Sequence, residues 1–141
     1  MTLRADVHQM MCDRPATRVW LTALASGARD FDELATAAGL TPLGRAWVEI
    51  DRGRAERFLA GLLRFDLAYK SEVMTQHRAD WLAGEFVRAF GRYDVRFATN
   101  SPDLPDRTAF GWDPATEHTF DAGLAVIGTM GSAIYWVADE D

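Results

Sequence analysis

The sequence predicts an α+β fold: an N-terminal helical bundle, helix-turn-helix-like, followed by a small antiparallel β-sheet with a C-terminal hairpin. Three observations carry this. Apolar residues recur at helical spacing in the run DRGRAERFLAGLLRF at 51–65. After Gly91 the period changes to two. Two apolar runs of strand length then flank the turn-like TMGS at 129–132. Helices first and an antiparallel sheet last define the class. At 141 residues the chain is read as a single domain, helical over 1–91 and sheet over 92–141.

Taken in order, Asp13 and Pro15 suggest a helix start, with Asp as cap and Pro in the first turn. The run TRVWLTALAS would continue that helix through Val19, Leu21 and Leu24, with Gly27 as its stop. A second helix opens at Asp30, where Glu33 three residues on completes a capping-box pattern, and Gly39 ends it. Thr41-Pro42 can begin a short third helix, which Gly44 weakens. Asp51 caps the next, whose face is Ala55, Phe58, Leu59, Leu62 and Leu63. Thr75 caps another, with Ala79, Leu82, Phe86 and Phe90 on one face and Gly91 at its end. In YDVRFATN, Val95 and Phe97 share one side of a strand. Residues 101–118 hold three prolines and few regular signals, so they form a long loop, a place where function often sits. TFDAGLAVIG and AIYWVAD are apolar on both faces, so their hairpin is sandwiched by helices or lies inside a sheet.

Composition narrows the function classes. A chain with 48% hydrophobic residues can build a core without disulfide or metal. The lone Cys12 cannot form an internal disulfide, which fits a reducing cytoplasm. No run suits a signal peptide or a membrane span, so a cytoplasmic, bacterial-type protein is expected. The net charge of −6 is unevenly placed. Residues 1–97 hold fourteen basic and thirteen acidic side chains; residues 98–141 hold eight acids against Arg107 alone. That third of the chain would repel nucleic acid and attract a basic partner, or simply solubilise a sheet edge.

The residues offer four kinds of chemistry. A helix-turn-helix across 18–41 would place Arg45, Arg52, Arg54 and Arg57 against phosphates, as in a winged-helix DNA-binding regulator. The acidity of the chain opposes this, because DNA selects a basic face. For metals, His8 and Cys12 share a helix face but supply only two ligands. Asp121, Asp139, Glu140 and Asp141 offer oxygens without an organising loop, so no metal and no cofactor is assigned. For catalysis, Ser132, His118 and Asp121 hold the atoms of a triad, but no nucleophile elbow surrounds Ser132. The remaining class is protein binding: Trp112, Asp113, Asp121, Tyr135, Asp139, Glu140 and Asp141 would form an aromatic centre ringed by acids.

Three segments also carry a resemblance. DLAYKSEVM, TFDAGLAVIG and YWVADED, in that order, resemble a pattern of small bacterial proteins that serve as immunity partners of secreted toxins, over residues 62–141. The resemblance implies an inhibitor that binds a cognate toxin and carries no chemistry of its own. Acidic charge would then oppose a basic toxin surface such as that of a nuclease. On this expectation, neutralising Asp139 and Glu140 slows association and leaves the fold intact.

Overall fold

A computed structural model describes residues 3–25 and 27–141. The elements run α1 (Ala5–Cys12), β1 (Arg18–Leu24), α2 (Phe31–Ala38), a 3₁₀ turn (Gly44–Ala46), β2 (Val48–Ile50), α3 (Arg52–Arg64), α4 (Gln76–Arg88), β3 (Arg96–Thr99), β4 (Phe120–Gly128) and β5 (Gly131–Asp139). The five strands form one antiparallel sheet in the order β1-β5-β4-β3-β2. The class is α+β, with the C-terminal hairpin β4–β5 near the centre of the sheet.

Three of the expected helices form where their caps place them. Asp30 accepts from the Glu33 amide at 2.8 Å, and Gly39 leaves the helix at φ +82°. Asp51 accepts from the Arg54 amide at 2.7 Å, and Thr75 from the Arg78 amide at 3.3 Å. Each cap is worth about 1 kcal/mol.

The segment expected to be the first helix is instead β1. Its RVWLT stretch is rich in β-branched and aromatic side chains, which suit a pleated surface. It pairs along its whole length with β5, from Arg18↔Ala138 to Leu24↔Ser132. Asp13 closes α1 rather than opening a helix. Ser26, the last residue of the expected helical run, lies outside the described residues. Near Thr41-Pro42 only the single 3₁₀ turn forms, and β2 follows it. Both edges of the sheet therefore come from the first half of the chain, and residue 91 is no architectural boundary. The helix-turn-helix is not built, because its leading element is a strand.

Both faces of β4–β5 are covered. On one, α1, α3, α4 and the residues just after α4 pack Met11, Leu59, Leu62, Phe86 and Phe90 over Leu124, Val126, Tyr135 and Val137. On the other, α2 brings Phe31 and Leu34 over Ala125, Ile134 and Trp136. Gly123 makes room for the Trp136 indole: a Cβ there would lie 2.1 Å from Trp136 Cε3. That close approach explains a glycine in a central strand.

Candidate protein-binding surface

The 101–118 loop is tied down from beneath by Asn100 and Asp121. The Asn100 amide donates to the carbonyls of Asp113 and Asp121 at 2.9 and 3.0 Å. The Asp113 amide returns a bond to Asn100 O at 2.9 Å. Asp121, fully buried at the start of β4, accepts from the Ala115 amide and the Trp136 indole, both at 2.9 Å. Its second oxygen accepts from the Thr116 amide at 3.1 Å and the Thr116 hydroxyl at 2.7 Å. Farther along, the Ser101 hydroxyl donates to Gly111 O, and Asp103 accepts from the Gly111 amide at 2.9 Å. A loop without regular structure is thus held in one shape by its side chains.

Three residues expected on a partner surface are interior. Asp121 is engaged by the four donors just named. Asp139 is 3% exposed and pairs with Arg14 at 2.8 Å, while its other oxygen accepts from the Leu67 amide at 2.8 Å. Tyr135 is fully buried, and its hydroxyl donates to Met11 O at 2.8 Å. Burial pushes the Tyr135 phenol far above its usual pKa. These groups stabilise the fold and offer nothing to a partner. Asp121 and Asp139 also point to opposite faces of the sheet, since Asp121 meets Trp136 and Asp139 meets Arg14. They do not converge on a cation. Among the described residues no buried side-chain nitrogen or oxygen lacks a partner.

Fewer of the expected residues are accessible. Asp113, Glu140 and Asp141 are exposed and Trp112 is half-buried. Asp106 and Glu117 are exposed on the same loop, so six of the eight acids after residue 98 stay at or near the surface. Trp112 stands in an aromatic row: ring centroids lie 5.9 Å from Phe110, stacked at 20°, and 5.4 Å from Phe120. Phe110 continues inward to Phe58 at 6.3 Å. Lys70 caps the row, its ammonium 4.8 Å from the Phe110 ring and donating to Pro105 O at 3.2 Å. Desolvation lowers the Lys70 pKa, against the opposing pull of Asp66, Asp106 and Asp139. At the loop's end, Glu140 accepts from the Thr119 hydroxyl, from the Thr119 amide at 3.1 Å and from His118 Nδ1 at 2.9 Å. Those bonds, the Thr119 hydroxyl foremost, hold the Glu140 carboxyl below its ordinary pKa.

No family model, curated protein or solved structure matches this chain. The chemistry of the surface therefore rests on its own geometry.

The other candidates disperse. Arg52 donates to the carbonyls of Val87 and Gly91, both at 2.8 Å, closing the end of α4. Arg54 donates to Pro102 O at 2.8 Å. Arg57 is exposed on α3, which packs with α1 and α4 on one face of the sheet. Arg45 is exposed in the 3₁₀ turn, whose neighbours Leu43 and Trp47 pack on the opposite face. The four arginines do not form one phosphate-facing row. Ser132 accepts from the Ala28 amide at the start of β5, while His118 pairs with Glu140 near its end, so no triad assembles. His8 Nδ1 and Cys12 Sγ do share a face of α1, 3.7 Å apart. No group of three or more His, Cys, Asp or Glu side chains is placed to hold a metal among the described residues. Arg14, Asn100 and Lys70 were not singled out by sequence reasoning; Lys70, the one lysine of the chain, carried the only visible signal.

Proposed function

We propose that this chain is a non-enzymatic protein-binding protein of the cytoplasm, of the immunity or inhibitor type, that blocks a basic toxin or nuclease. The binding surface is the 101–118 loop with its half-exposed Trp112, bordered by Asp106 and Asp113 and continued by Glu117, Glu140 and Asp141. One observation carries the reading: an irregular, acidic, aromatic loop is clamped from below by Asn100 and Asp121. Such a surface loses little conformational entropy when a partner docks. Aromatic side chains supply the contact area, and the acids steer a basic partner and set its orientation.

The test is capture of a basic protein by the wild-type chain, and loss of that capture when the exposed acids are reversed in sign.

A further inference from the structure

The two edges of the sheet are built differently. β2 is three residues long, carries the Glu49–Arg96 ion pair at 2.6 Å, and runs at once into the Asp51 cap of α3. Shortness and charge of this kind protect an edge from pairing. β1 has neither defence. It is seven residues long and carries no charge from Val19 to Leu24. Val19, Leu21, Thr22 and Leu24 are half-buried, and Ala23 is exposed. Its one strand neighbour among the described residues is β5, so its outer main-chain groups face away from the sheet.

We propose that β1 is the dimerisation edge, pairing antiparallel with β1 of a second copy of this chain about a two-fold axis at Leu21. The strand is self-complementary in that register. Leu21 meets Leu21 on the axis; away from it Trp20 meets Thr22, Val19 meets Ala23 and Arg18 meets Leu24, so the larger side chain of each pair opposes a smaller one. No charge opposes a like charge. The parity is also consistent. Val19 and Leu21 lie on the α1, α3 and α4 face, Trp20 and Leu24 on the α2 face, and each meets a residue of its own face. The two-fold axis runs perpendicular to the sheet, and the result is one continuous ten-stranded sheet.

Closure selects a second copy over an open filament. Isologous pairing uses the same patch on both partners. It consumes the unprotected edge of each copy and leaves only the two guarded β2 edges outside, so growth stops at two.

Sedimentation velocity across about a hundred-fold concentration range measures the mass. The wild type is a dimer at the upper end. Ala23→Lys, a change at an exposed site that puts a charge against Val19 of the partner, abolishes the dimer while its circular dichroism is unchanged. Leu21→Cys in a Cys12→Ser background decides the register. Directly opposed residues of an antiparallel pair have Cα atoms about 4.5–5.5 Å apart, within disulfide reach. Oxidation therefore links the two copies at Leu21→Cys, even should Ala23→Lys fail to fold. A wild type monomeric over the whole range overturns the proposal. So does a dimer that survives Ala23→Lys and does not cross-link at position 21.

Discussion

The Arg14 guanidinium and the Asp139 carboxylate lie face to face inside the protein, at 2.8 Å, from positions 125 residues apart. Arg14 also donates to Leu62 O at 3.1 Å and Phe65 O at 2.7 Å, and to its neighbour Pro15 O at 2.6 Å. One side chain therefore joins the exit of α1, the end of α3 and the end of β5. Asp139→Ala leaves a buried guanidinium without its counter-charge, which costs about 3–5 kcal/mol. Urea denaturation measures that loss. The burial of Asp139 runs against the expectation that neutralising it leaves the fold intact, whereas Glu140→Gln, at the surface, is expected to leave the fold in place.

Gly123 and Trp136 make a second pair. Any side chain at 123 meets the indole and the Tyr135 carbonyl, at 2.1 and 2.2 Å. Gly123→Ala forces Trp136 away from its bond to Asp121, with a loss of about 3 kcal/mol. The same denaturation experiment, followed by tryptophan fluorescence, reads both the loss and the displaced indole.

Asp121 clamps the loop, so Asp121→Ala frees it. The amides of Ala115 and Thr116 lose their acceptor, and the Trp136 indole is left unpaired in the interior. A buried donor without an acceptor costs about 1–3 kcal/mol. Hydrogen exchange at Ala115 and Thr116 then accelerates far more than exchange in α3 or α4.

Asp32 gives a pH dependence. Its Oδ1 accepts from the Trp47 indole at 2.7 Å and from the Leu43 and Gly44 amides, both at 3.1 Å. The Trp47 bond is the main cause of its lowered pKa. A carboxylate with a folded pKa below the unfolded one adds stability that is complete above the unfolded value, about 4, and lost as pH falls through the folded one. The stability difference between wild type and Asp32→Asn is therefore flat at neutral pH and shrinks below about pH 4. Urea midpoints at stepped pH check it.

The legible parts of this fold are those set by near neighbours in sequence. The α2, α3 and α4 helices follow from Asp30, Asp51 and Thr75 with the apolar spacing behind each, and the β4–β5 hairpin follows from two apolar runs around a turn. β1 was not legible, because Asp13 and Pro15 imitate a helix start and its strand state depends on β5, more than a hundred residues away. The site divides in the same way. The prolines of 101–118 mark the loop, and Asp113 and Asp141 are exposed as charge suggests. Burial of Asp121 and Asp139 was hidden, since their charge says nothing of the donors folded around them. The partners of Asp139 lie 125 and 72 residues away.

The central claim is that the exposed acids of the loop and C-terminus recruit a basic protein. Capture from an extract of the native host, on immobilised wild type and on the folded variant Asp113→Lys/Glu117→Lys/Asp141→Lys, tests it most directly, with eluates quantified by mass spectrometry at low and high salt. The expected outcome is a basic protein held by the wild type at low salt, weakened by salt and absent from the variant. Equal retention of the same proteins by both, or retention of nucleic acid alone, would contradict it.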